Sequence, residues 1–115
     1  MTALNAQVWT ELCPFESLTP ERGECALVDG VQIAIFRTFD DALYAIGNID
    51  PFSGAAVLSR GIVGDRGGEP TVASPLHKQV FSLTSGMCLD EQSVAVATYP
   101  IRVTDSIVEV MVEAS

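Results

Sequence analysis

The chain has 115 residues, 48% hydrophobic and 18% charged, which suits one globular domain, 1–115, able to fold without metal or disulfide. Fifteen Asp and Glu against 6 Lys and Arg give a net charge of -9; this argues against nucleic acid and anionic membrane surfaces as partners, and it keeps the domain soluble or steers it to a basic patch. No stretch nears the ~20 apolar residues of a membrane span, the first nine residues lack the order of a secretory signal, and Cys13, Cys25 and Cys88, none in a C-x-x-C arrangement, read as small buried hydrophobes in a reducing cytoplasm.

The signals along the chain are strand signals. Residues 8–12 alternate loosely and predict a first strand, and 17–23, punctuated by Pro20 and Gly23, predict a turn or one helical turn. The runs 25–28 and 31–36 flank Asp29-Gly30, a pair that marks a tight hairpin. The second run is apolar on both faces, as a central strand should be. Residues 38–41 predict a turn and 42–46 the next strand. From Gly47 to Gly68 the periodicity fails, which predicts a long loop region with short strands near 57–58 and 62–63. Residues 71–73 lead into Ser74-Pro75-Leu76-His77, 80–83 predict a strand ended by Ser85-Gly86, and 89–93 read as a turn.

At the C-terminus Tyr99, Ile101 and Val103 alternate with Pro100, Arg102 and Thr104. After a turn at Asp105-Ser106, Val108, Val110 and Val112 alternate with Glu109, Met111 and Glu113. Period two places the valines on a core face and the glutamates in water. Pro100, without a backbone donor, predicts an edge strand or a strand start. Ser106, where a tight turn prefers Gly or Asn, predicts either strain or a longer turn. No helical stretch exceeds about two turns. Short strands, regular turns and no internal repeat make the class all-β, with antiparallel sheets in a sandwich or small barrel.

The irregular middle carries the chemistry. Asn48 precedes Asp50-Pro51-Phe52-Ser53-Gly54-Ala55, then Leu58-Ser59-Arg60-Gly61; further on Ser74-Pro75-Leu76-His77-Lys78 precedes an apolar strand and Thr84-Ser85-Gly86. Over residues 24–113 this layout resembles the Rieske iron–sulfur domain. In that family two such loops hold a [2Fe–2S] cluster through two Cys on one iron and two His on the other. The resemblance puts Asp50 and Ser74 at the cysteine positions and Phe52 and His77 at the histidine positions. Phe52 has no lone pair, Ser74 is too weak an acid to replace a thiolate, and Lys78 stands where the family places Gly. The domain is therefore expected to hold no cofactor or metal of its own.

The replacements themselves, Asp50-Pro51-Phe52 with Ser74-Pro75-Leu76, resemble the small subunit of NAD(P)H-dependent nitrite reductase. That resemblance implies a cytoplasmic, non-redox subunit serving nitrate assimilation. Its large-subunit partner carries FAD, sirohaem and an iron–sulfur cluster and reduces nitrite to ammonia. The isolated chain is not expected to be catalytic. The alternatives are a stand-alone Rieske-like interaction or regulatory module and a Rieske ferredoxin-type electron carrier.

Other constellations are weaker. His77 is the only histidine, with Asp50 its one candidate neighbour in that frame, so a metal site lacks ligands. A Ser74–His77–Asp50 triad can be written down without an evident oxyanion hole. Gly64-Asp65-Arg66-Gly67-Gly68 lacks the Lys and helix of a phosphate loop and reads as a flexible turn. The two loop tips are expected to form a docking surface of Pro51, Phe52, Pro75, Leu76 and Lys78. The competing expectation is that Phe52 and Leu76 fold inward to fill the space a cluster vacates.

Overall fold

The alternating runs form nine strands: β1 (Gln7–Pro14), β2 (Arg22–Val28), β3 (Val31–Arg37), β4 (Leu43–Gly47), β5 (Ile62–Arg66), β6 (Glu69–Ala73), β7 (Val80–Ser82), β8 (Ile101–Thr104) and β9 (Ile107–Glu113). They come from a computed structural model that describes residues 7–113 apart from residue 77. His77, expected at a ligand position, thus lies outside the described residues. Among those described, the strands pair antiparallel in three sheets ordered β1-β9-β8, β2-β3-β4 and β5-β6-β7.

Strand β3 serves two cores. Ile33 and Ile35 face Val28, Ala45 and the alternating Val108, Val110 and Val112 of β9. Ala34 and Phe36 face the other way, onto Ile46, Leu58, Val72, Phe81, Leu83 and Cys88. The pleat alone produces this division, and it places β2-β3-β4 between the other two sheets. A slip of one residue would exchange the two faces. Asp29-Gly30, at φ 51° and 80°, prevents it by closing the β2–β3 hairpin on the pair Val28 and Val31.

Several elements differ from the sequence reading, each for a local reason. β1 runs to Pro14 because β9 offers it a partner throughout, with a bulge between Glu11 and Cys13. β2 begins at Arg22: Gly23 lies so close to its neighbours that a Cβ there would sit 2.4 Å from the Ser59 carbonyl oxygen and 2.6 Å from the Phe36 ring. Residues 57–58 are not a strand, since Leu58–Arg60 is a 3-10 turn whose Leu58 is fully buried. The region 62–68 is the β5–β6 hairpin, turned by Gly67 and Gly68 at φ 62° and 91°. Alternation is silent there because Gly64, Asp65 and Arg66 are all exposed. Cys25 is exposed on β2, the outer strand of its sheet, and Cys13 is half-buried; only Cys88 is the buried hydrophobe expected of all three. No helix among the described residues is long and apolar enough to cross a membrane.

Pro100 lies just before the outer strand β8, and its carbonyl accepts from the Met111 N–H at 3.0 Å. The turn that follows is the strained alternative, not the longer one: Asp105 and Ser106 stand at φ 51° and 67° between the paired Thr104 and Ile107. That region costs an ordinary residue about 1 kcal/mol. Asp105→Asn combined with Ser106→Gly is therefore expected to raise stability by about 1 kcal/mol, read as a higher urea midpoint; an unchanged midpoint contradicts the strain.

Candidate functional site

Strand β4 delivers the chain to Asn48, which is 2% exposed and ties down the first loop. Its side-chain oxygen accepts from the Ser59 N–H at 2.7 Å, and its amide nitrogen donates to Gln32 Oε1 at 3.3 Å and to Cys25 Sγ at 3.4 Å. Its backbone N–H donates to the Gln32 carbonyl at 3.1 Å, and its own carbonyl accepts from the Leu58 N–H at 3.1 Å. This anchoring role is not readable from a single Asn in a motif.

The two loops after β4 and β6 have the same construction. In the first, the Gly54 N–H donates to the Asp50 carbonyl at 2.7 Å, the Asp50 N–H to the Ala55 carbonyl at 2.8 Å, and the Phe52 N–H to Asp50 Oδ1 at 2.8 Å. In the second, the Lys78 N–H donates to the Ser74 carbonyl at 2.9 Å, the Ser74 N–H to the Gln79 carbonyl at 2.9 Å, and the Leu76 N–H to Ser74 Oγ at 3.3 Å. Asp50 and Ser74 therefore play one part in two loops. So do Gly54 and Lys78, at φ 76° and 62°. Lys78 holds with a side chain the left-handed backbone for which its counterpart uses glycine.

The loops meet at that shared position. The Ser74 hydroxyl donates to Asp50 Oδ2 at 2.6 Å, and the two residues are 1% and 0% exposed. Such a donor set does not fit a cluster that needs two thiolates and two imidazoles. A carboxylate and a hydroxyl, already bonded to each other, stand where the resemblance expects the cysteines, and a phenyl ring where it expects one histidine. No three His, Cys, Asp or Glu among the described residues converge on a metal. The cysteines lie elsewhere: Cys25 beside Asn48, Cys88 in the core next to Phe81. The Ser74 hydroxyl is thus buried, with its proton donated to a carboxylate.

The apolar residues of the loops do not fill the interior. Phe52 is 38% exposed and leans on buried Phe81 with ring centroids 6.2 Å apart; Leu76 is 51% exposed. Pro51, Pro75 and Lys78 are exposed as well. Ile49, 42% exposed, joins this apolar tip. It escaped the sequence reading, although period two gives it away: Asn48 and Asp50 point inward, so the residue between them points out.

A family model for the Rieske-like [2Fe-2S] domain matches residues 8–111, extending the likeness to include β1. The chain is 44% identical over 102 residues to the nitrite reductase (NADH) small subunit of Escherichia coli, covering 88% of this chain and 94% of that one. A crystal structure from Mycobacterium tuberculosis, with a provisional assignment as NADH-dependent nitrite reductase small subunit, superposes with a TM-score of 0.92 at 52% identity, covering 95% of this chain and 98% of the other. A Klebsiella oxytoca protein named nitrite reductase [NAD(P)H] large subunit is 43% identical over 101 residues, which are 88% of this chain but 10% of that one.

Removing the hydroxyl that joins the loops leaves a buried carboxylate short of a donor. Ser74→Ala is expected to cost about 1–3 kcal/mol in urea unfolding, and a double-mutant cycle with Asp50→Asn to show a coupling of at least about 0.5 kcal/mol. Additive effects would contradict the bridge.

Proposed function

This chain belongs to the nitrite reductase small-subunit family, built on the Rieske-like [2Fe-2S] domain, and from that premise we propose that it is a non-redox subunit docking through its two joined loops onto a nitrite reductase large subunit. The observation that carries this reading is the 2.6 Å hydrogen bond from Ser74 to Asp50. It joins the two loops through groups that cannot carry electrons, while Phe52 and Leu76 at the loop tips stay exposed. In this reading FAD, sirohaem and an iron–sulfur cluster sit on the large subunit, which takes electrons from NAD(P)H and reduces nitrite to ammonia in cytoplasmic nitrate assimilation. The small subunit supplies shape and no catalytic group.

The loops have the character of an interface centre: Ile49, Pro51, Phe52, Pro75 and Leu76 are exposed apolar residues, and Lys78 adds one charge. The strained backbone of Lys78 supports selection for that ammonium, which fits a carboxylate on the partner. The Klebsiella oxytoca relative supports a lasting, one-to-one association, because there a domain like this one is part of the large-subunit chain itself.

The purified chain is expected to contain no iron or acid-labile sulfide; stoichiometric iron with a visible spectrum would overturn the proposal. Leu76→Asp should weaken binding to the large subunit by about 30-fold or more, the scale of losing an interface anchor. Lys78→Gly should raise the urea midpoint by relieving the positive φ, yet weaken the same complex. Equal affinity for wild type and both variants contradicts docking through the loops.

A further inference from the structure

We infer that the chain carries a second docking surface, on the flank where the outer strands β2 and β5 meet, fitted to a segment of the large subunit that presents both a cationic and an anionic side chain. The inference rests on the proposed function in taking the large subunit as partner; the surface itself shares no residue with the loops 50–55 and 74–79.

Among the described residues Phe39 and Ile62 are the most exposed large apolar side chains, at 80% and 75%. Phe39 does not sit on a loose tip. Its N–H donates to Glu21 Oε2 at 3.1 Å, and its turn is closed by the Thr38 N–H on the Ala42 carbonyl and the Asp41 N–H on the Thr38 carbonyl, both at 2.9 Å. Glu21 itself stands at φ 65°, with its N–H donating to the Arg37 carbonyl at 2.6 Å. A strained, over-determined backbone thus holds the carboxylate that ties down the Phe39 backbone, and such preorganisation favours binding.

Two adjoining grooves share Glu21. One, of about 410 Å³, is lined by Phe39 and Asp40; the other, of about 460 Å³, by Arg22, Arg60 and Ile62. Gly23 and Gly61 press the second together, since a Cβ on either would lie 2.4 Å from a carbonyl oxygen. Arg37, Arg66 and Arg102 each pair with a carboxylate. Arg22 and Arg60, like Glu21 and Asp40, form no ion pair among the described residues. In a chain of net charge -9, two unneutralised arginines beside unneutralised carboxylates are a pattern, not a surplus. Two apolar anchors with a rim of both signs match the make-up of a protein interface, and the paired signs fix the partner's orientation. The carboxylates do not converge on a metal ion, and two copies of so acidic a chain repel each other. A bipolar segment of a different protein is what remains complementary.

The test is the affinity of the full-length chain for the intact large-subunit holoenzyme. Phe39→Ser with Ile62→Ser, and separately Arg22→Glu with Arg60→Glu, are each expected to weaken it by about tenfold or more. All four sites are exposed, so the urea midpoint should hold. Glu11→Gln, on the sheet of β1, serves as a charge control and should bind like wild type. If both pairs bind within about twofold of wild type while Leu76→Asp weakens binding, the second surface is wrong and the loop docking stands. If the flank variants fail while Leu76→Asp binds normally, the loops are the wrong face and the flank is right. No binding by wild type overturns both. Self-association of the isolated chain, lost in the flank variants, overturns the choice of partner in favour of a second copy.

Discussion

Two buried groups, the Ser74 hydroxyl and the Asp50 carboxylate, hold the loops after β4 and β6 together. A carboxylate with no solvent exposure is costly unless its oxygens are met by donors. Here one oxygen accepts from the Phe52 N–H and the other from Ser74. The first bond shapes one loop and the second joins it to the other. Because each loop hangs from the same internal pattern of hydrogen bonds, joining them at one point fixes both. A metal is not required for the loops to keep their form, and once the loops are fixed, their side chains can be given over to contact.

The rest of the fold serves that junction. β4 leads directly into Asn48 and Asp50, and β6 directly into Ser74. Both strands line the core built from Phe36, Ile46, Leu58, Val72 and Phe81. The other face of the central sheet packs on β9, so β3 and β4 are immobilised from two sides. The loops therefore depart from strands that cannot shift without exposing a core, at a cost of roughly 1.5–3 kcal/mol for each large aliphatic side chain. Phe52 and Leu76 are left outward, which makes them available to a partner.

Much of this was legible in the residues. Asp29-Gly30 marked its hairpin, the run at 31–36 declared a strand buried on both faces, and the valines of β9 declared their core face. The Rieske-like loops could be placed from Asp50-Pro51-Phe52 and Ser74-Pro75-Leu76. What stayed hidden was non-local or unpatterned. The Ser74–Asp50 bond joins residues 24 apart, and no period links them. The β5–β6 hairpin runs to its turn through Gly64, Asp65 and Arg66, all exposed, so alternation had nothing to report there. Whether Phe52 and Leu76 turned in or out depended on what else filled the junction. In the structure a hydrogen-bonded pair of small polar groups, Asp50 and Ser74, is buried there, and Phe52 and Leu76 are exposed.

The most direct measurement of the central claim is hydrogen–deuterium exchange of this chain, alone and bound to the large subunit. Docking through the joined loops predicts slowed exchange in peptides spanning 48–56 and 74–80 on complex formation, with the β1-β9-β8 sheet unchanged. Unaltered exchange in both loops, with protection confined to other surfaces, would contradict it.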